Sequence, residues 1–471
     1  MSEELPVLKE GNTSKKNLIK TVKMKQKQLI AFILICNLAF AMIAQENNSK
    51  SYSLEAAKAY AIEHAYQQQI AALDVEKAQS KVNETIAIGL PQVSGSVGYK
   101  NNIEIPAIAV PAEFFPNGVP GEIATVRFDS DQSMGATITA SQLIFDGSYL
   151  VGLQATKVYL ELSKNDEEKS LIELKRLVTQ AYGNVLVAEK NVEILKKNQK
   201  NLDAIAFESE EIYKNGLIEE QDRDQAKLNY KSITNQYENA GRQLEVAKNQ
   251  LKFIMGLSIE SDIVLSDDLE AITKTSMGSE FAQKEFIIDN HIEYKSILTQ
   301  EKATDLVTKQ QKSVYLPKLS AFYTYQQNSY ANDFSFFRDA DWIAGQFFGI
   351  NLNVPIFTSF GNKNRVQQAK IDNQKVKIAK LQIEQNLKIQ AENAKSAYIF
   401  ALNQYETNNE NLALAESIYD KVKEKYEEGL NSSLELTTAN NQLLNAQQSY
   451  IQASFQLIDS KVKLDQALNN F

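Results

Sequence analysis

Apolar residues recur along this chain with two different periods. Leu171, Leu174, Val178, Ala181, Val185, Ala188, Val192 and Leu195 step by three and four. The same steps run from Ala391 through Ala394, Tyr398, Ala401, Tyr405, Asn408 and Leu412 to Ala415, Tyr419, Val422 and Tyr426. Such steps form a heptad seam, which predicts helices packed lengthwise on a neighbour as coiled coils. The seam is rich in Ala and Tyr rather than Leu, which allows close approach. A helix from Gly147 to Tyr213 would extend about 100 Å, and one from Gly361 to Glu427 as far, at about 1.5 Å per residue. The prolines stand at 6, 91, 106, 111, 116, 120, 317 and 355, so none interrupts 121–316. That suits long helices, because proline removes a donor and clashes with the preceding turn.

The second period is two. Residues 92–99, 132–145, 319–330 and 343–360 contain no charged side chain. Met134, Ala136, Ile138 and Ala140 alternate with Thr137, Thr139 and Ser141. Phe348, Ile350, Leu352, Val354 and Ile356 alternate with Gly349, Asn351 and Asn353. Apolar-out, polar-in alternation over about ten residues marks a transmembrane β-strand; a soluble half-buried hairpin gives the same pattern. Aromatic residues tip the balance: they make up twelve of the 44 positions from Val314 to Phe357, against 9% overall. Such residues form interfacial girdles. Pro91 and Pro317 mark the change from helix to strand, since the residue before a proline avoids the helical region.

The chain also repeats itself. YKNGLIEEQDRDQAKLNY at 213–230 matches YEEGLNSSLELTTANNQL at 426–443. IGLPQVSGSVGY at 88–99 matches VYLPKLSAFYTY at 314–325, and LIFDGSYLVGLQATK at 143–157 resembles PIFTSFGNKNRVQQAK at 355–370. A period of about 210 residues makes each half one unit: helix, strand, loop, strand, very long helix, turn, long helix. The expected organisation is an N-terminal extension with a signal peptide over 1–44 and two repeats. The first, 45–270, holds strands 92–101 and 132–145 and a helical hairpin at 147–256. The second, 271–471, holds strands 318–328 and 346–357 and a helical hairpin at 361–468. One chain thus offers four strands. The smallest usual barrels have about eight, and a sheet in lipid must close, so several chains must contribute. The connection at 102–131 carries four prolines and that at 331–342 carries Trp342; both should face the exterior, opposite the helices.

Lys20, Lys23, Lys25 and Lys27 precede the uncharged run Leu29 to Ala44, with small residues for cleavage after Ala41 or Ala44. That order is the signature of a secretory signal. The alternative, a transmembrane anchor, meets the objection that sixteen residues fall short of the about 20 that span a bilayer. Met24 is an alternative start to Met1. The single cysteine, Cys36, lies in this run, so a mature chain has neither disulfides nor thiolate metal sites. The first 44 residues carry seven Lys and three Glu, so their removal takes the net charge from −9 to −13. Nucleic acid, a polyanion, is therefore not an expected partner. His64 and His291, the only histidines, are expected at the surface and not as ligands. The chain shows no nucleophile motif, phosphate loop or metal spacing: no catalytic residue, cofactor or metal site is expected.

Along nearly all of 52–469 the chain resembles the outer-membrane efflux protein (TolC) family. The resemblance is carried by the LP steps at 90–91 and 316–317, the LIFDG and PIFTSFG junctions, and the paired GL…D/E…A turns at 216–226 and 429–439. It implies an α+β membrane protein working as a homotrimer. Four strands per chain would complete a twelve-stranded barrel in outer-membrane lipid, continued by a long periplasmic α-helical barrel. A mixed equatorial region would fall near 257–282 and the C-terminus. The resemblance also implies a passive exit duct served by a periplasmic adaptor protein and an inner-membrane pump of the RND or ABC type. It places Gly216, Leu217, Gly429 and Leu430 at adaptor-docking tips, and Asp222 and Glu435 as acids at the periplasmic end of the pore. Two bland alternatives stand beside these roles. The turns can be simple hairpin caps, and the acids can be first-turn residues favoured by the helix dipole. Lys214, Arg223 and Lys425 are the nearest basic residues, and Asn431 stands where a basic residue would help a salt-bridged gate. A structural or adhesive coiled-coil envelope protein is the alternative function.

Overall fold

A computed structural model describes residues 50–338 and 340–470. The expected signal, with Met24 and Cys36, lies outside them. The chain opens with β1 (Lys50–Tyr52), α1 (Leu54–His64) and α2 (Tyr66–Ile88), then crosses into β2 (Gln92–Asn101) through Gly89, Leu90 and Pro91. A small hairpin, β3 (Ile108–Pro111) and β4 (Ile123–Val126), precedes β5 (Gln132–Asp146). The 102–131 connection is therefore not simply a loop.

From β5 the chain runs directly into α3 (Gly147–Lys214), 68 residues long. Asp146 makes the switch possible: its carboxylate accepts from the backbone N–H groups of Ser148 and Tyr149, two donors that a helix start leaves unpaired. The return helix α4 (Glu220–Met255) stops at Gly256, whose φ is +77°. A Cβ there would lie 2.1 Å from the carbonyl oxygen of His64, so only glycine fits this crossing. Then follow β6 (Ile263–Leu265), α5 (Leu269–Thr275), α6 (Glu280–Gln283) and α7 (Ile292–Ser313). The chain closes with β7 (Lys318–Ala331), β8 (Ile343–Asn353), α8 (Gly361–Glu427, 67 residues) and α9 (Ser433–Leu468).

Among the described residues three sheets form, the main one ordered β2-β5-β7-β8 and antiparallel throughout. The long helices pair as α3 with α4 and α8 with α9, while α7 lies against both α3 and α8. The largest apolar core sits where these helices meet the short elements around β1 and β6. Val178, Tyr182 and Val185 of α3 and Tyr398 and Ala401 of α8 are fully buried there. Each large side chain so buried contributes about 1.5–3 kcal/mol. Towards the far helix ends the core thins to two small clusters, Leu195, Leu202, Ile233 and Ala240, and Tyr419, Leu436, Ala439 and Leu443.

Two sequence expectations are corrected. The last strand, expected at 346–357, runs Ile343–Asn353. Pro355 lacks a backbone donor and cannot continue a ladder, and Ser359 and Phe360 turn the chain with φ of 49° and 64°. His291, expected at the surface, is buried: its Nδ1 accepts from the Glu293 N–H as the N-cap of α7. Burial disfavours its charged form and holds its pKa below the usual value. His64 is exposed.

Candidate functional site: helical tips and membrane sheet

The two helical hairpins turn in the same way. After α3, the Leu217 N–H donates to the Ile212 carbonyl at 3.2 Å and the Gly216 N–H to Tyr213 at 2.8 Å. After α8, Leu430 donates to Lys425 at 2.8 Å and Gly429 to Tyr426 at 2.9 Å. This crossed pair of bonds is the Schellman motif, which needs a left-handed residue just past the helix. Gly216 (φ +74°) and Gly429 (φ +73°) supply it, and a Cβ at either would meet open space. The motif does not bury the leucines that follow: Leu217 is 75% exposed and Leu430 70%.

Asp222 and Glu435 both hold the third position of the return helix. Glu435 completes a capping box: its carboxylate accepts from the Ser432 N–H at 2.8 Å while its own N–H donates to Ser432 Oγ. Asp222 reaches across instead and accepts from Ser433 Oγ at 2.7 Å, and Asn229 donates to Thr437 Oγ1 at 3.1 Å. The two turns are thereby tied side by side. The carboxylate at 222 is joined to the other hairpin and that at 435 to its own helix end. Sequence pattern gave no sign of the Asp222–Ser433 link, because its partners lie 211 positions apart. Arg223 lies over the Tyr213 ring at 4.4 Å and pairs with Glu220 and Asp224, and Lys214 pairs with Glu211. Both cations are thus engaged with acids other than 222 and 435.

At the other end of the molecule, the main sheet has two unlike faces. The β2–β5 register sets Val93 opposite Ala140 and Val97 opposite Ala136; the β7–β8 register sets Tyr323 opposite Phe348 and Ala321 opposite Ile350. Val93, Val97, Ile138, Phe348, Ile350 and Leu352 on this face are 56–75% exposed. The opposite face carries Ser94, Ser96, Thr137, Thr139, Thr324 and Gln326, with Thr139 and Thr324 hydroxyls 3.2 Å apart. Exposed apolar groups on one face and polar groups on the other fit a wall between hydrocarbon and water. The sheet stays open: among the described residues β2 and β8 each lack a partner on their outer edge.

A short membrane sheet that continues into helices about 100 Å long defines a subunit of an outer-membrane channel. The model of the outer membrane efflux protein family matches residues 60–257 and 297–470, and the chain belongs to that family. The chain therefore acts as an outer-membrane exit duct, and its helices lie in the periplasm. The fold is shared with solved channels. The Campylobacter jejuni CmeC outer membrane channel is 18% identical, with a TM-score of 0.67 over 88% of this chain and 85% of that one. The open state of the Neisseria gonorrhoeae MtrE outer membrane channel is 16% identical, with a TM-score of 0.67 over 88% of each chain. Vibrio cholerae VceC, an outer membrane protein, is 14% identical, with a TM-score of 0.66 over 88% of this chain and 95% of that one. No curated protein matches the chain.

Proposed function

We propose that three copies of this chain close into a twelve-stranded barrel in the outer membrane and one helical tube below it. The tube passively conducts cargo delivered by a periplasmic adaptor and an inner-membrane pump of the RND or ABC type. The observation that carries this reading is the open four-stranded sheet with its exposed apolar face. Unpaired strand edges are too costly in hydrocarbon, so other copies must cover them. Apolar residues left exposed on the helices, such as Ile378, Leu381 and Val246, ask for the same cover. The tips, with Gly216, Leu217, Gly429 and Leu430, are the adaptor contacts, and Asp222 and Glu435 ring the entrance as part of its frame. The halves 45–270 and 271–471 are copies of one unit; their matching Schellman turns support this.

Purified protein in planar bilayers tests the duct directly. Stepwise single-channel conductance is expected, and a strain lacking the chain should accumulate cargo of its pump. Bilayers that stay sealed, with unchanged susceptibility and secretion in the deletion strain, would favour an adhesive or structural role instead.

A further inference from the structure

We propose that Phe322 and Phe347 form an aromatic selection site on the lumen wall of the barrel, which recognises planar aromatic cargo. The inference rests on the closed-duct reading above. The strand registers place both residues on the polar face: Phe322 lies opposite Ser141 and Gly349, and Phe347 opposite Thr324. The rings meet at 6.1 Å with planes 85° apart. In that edge-to-face arrangement, one ring keeps both of its faces free of the other.

Their neighbours set the pair apart. On this face the long side chains of β7 lie flat across glycines of the adjoining strands. A Cβ at Gly349 would be 2.6 Å from the Phe322 ring, one at Gly135 2.7 Å from Asn328 Oδ1, and one at Gly345 3.3 Å from Gln326 Nε2. Phe347 has no such bed: its partner across the ladder is the buried Thr324, and the ring stays 48% exposed. Charges on this face occur as pairs at the two ends, Lys318 with Asp146 at 3.0 Å and Lys100 with Asp129 at 3.0 Å. Between them stand mostly Ser, Thr, Asn, Gln and Gly; the other apolar residues on this face are Leu143, Ile343 and, beside Lys100, Tyr330, and of its aromatic rings Phe322 and Phe347 are the two that meet. Exposing apolar rings to a water-filled lumen costs free energy, and the Phe322 contact covers only part of Phe347, which stays about half exposed. In three copies, three ring pairs would face the lumen at one height. The chemistry they recognise is a flat π-system, by stacking or, for a cationic dye, by attraction to the ring face.

The test compares two monovalent cations, ethidium and tetraethylammonium, as blockers of single-channel current through the full-length protein in planar bilayers. Ethidium is expected to block wild type at the lower concentration. Phe347→Ala and Phe322→Ala should each raise its half-blocking concentration about two- to tenfold, the range of one aromatic contact, and leave tetraethylammonium unchanged. If the alanine variants do not insert, Phe347→Tyr, which keeps the ring, should retain ethidium block and Phe347→Leu, which keeps the bulk, should lose it. Equal block of wild type by the two cations, or ethidium block unchanged in Phe347→Ala or Phe347→Leu, overturns the proposal while leaving the duct standing. A wild-type protein that conducts no current overturns the duct itself.

Discussion

Tyr182 and Tyr398 occupy comparable depths on the two long helices, and both are fully buried. Each hydroxyl reaches sideways to fasten irregular chain. Tyr182 donates to the Tyr52 carbonyl at 2.9 Å and lies 3.1 Å from Asp267, whose carboxylate also accepts from the Leu54 N–H. Tyr398 donates to the carbonyls of Ser276 and Gly278 at 2.8 and 2.9 Å. Burial raises the pKa of both hydroxyls, that of Tyr398 to about 12, so both remain donors at any physiological pH. The Tyr52 carbonyl keeps a second donor, the Ser266 N–H, in the absence of the tyrosine. Tyr182→Phe should therefore cost only about 0.5–1.5 kcal/mol, and Tyr398→Phe, which strips the Ser276 carbonyl, about 1–3 kcal/mol. Thermal unfolding of the two variants in one detergent checks the order; a larger loss from Tyr182→Phe would contradict it. His291 adds a pH term. It lies beside Glu293, Lys169 and the Phe286 ring, and burial lowers its pKa in the folded state. The unfolded chain then binds the proton more tightly, so stability is full above about pH 6.5 and falls as the pH drops below it. His291→Asn keeps a good N-cap and removes the titration. The melting temperature of wild type should fall more between pH 7.5 and 5.5 than that of the variant; parallel curves would show that His291 does not titrate there. Glu173, whose pKa Arg176 lowers, loses its proton well below this window in the folded state.

At the scale of elements, the tips separate backbone geometry from side-chain recognition. Since a Cβ at Gly216 or Gly429 meets nothing, substitutions there act through φ alone. Replacing both by Val forces a β-branched residue into left-handed backbone, at about 1–3 kcal/mol each, and should abolish transport and adaptor crosslinking without harming barrel insertion. Replacing both by Asn, which tolerates that backbone, should restore both. Wild-type crosslinking in correctly inserted Gly216→Val/Gly429→Val protein would reduce the turns to plain caps. These elements were legible because each left a local mark. Seam residues Leu174, Val178, Ala181 and Val185 are buried as their spacing implied, as are Ala391, Tyr398 and Ala401. The sheet's strands were marked by alternation and by prolines. What stayed hidden depends on contacts across the chain. Tyr182 falls one position off the seam and earns its burial from Tyr52 and Asp267, 130 and 85 residues away. β1 and β6, three residues each, are too short for any period to show. Both phenylalanines of the lumen face sit on the parity of Thr324 and Asn351, a break in alternation that could have been noticed.

For the whole molecule, the sheet must close through other copies. The mature protein is expected to behave as three protomers when its mass is measured in detergent, and a stable monomeric barrel would end the trimer proposal. The assignment of the two faces is a separate claim, and it can be probed within one strand. Ile138 and Thr137 are neighbours near the middle of β5, pointing to opposite sides; Ile138 is 56% exposed on the apolar face, and Thr137 lies on the polar face opposite Gln326. A lysine at a lipid-facing midplane position costs about 2–4 kcal/mol, whereas a lumen-facing one is met by water. Closure would present that cost once per protomer. Ile138→Lys should therefore lower the yield of inserted, assembled protein sharply, while Thr137→Lys should insert normally and shift conductance and ion preference instead. Measuring both in the same outer-membrane fractions controls for expression. If Thr137→Lys were the variant that failed to assemble, the polar face would be the one in contact with lipid or with a neighbouring chain, and the lumen site at Phe322 and Phe347 would fall with it.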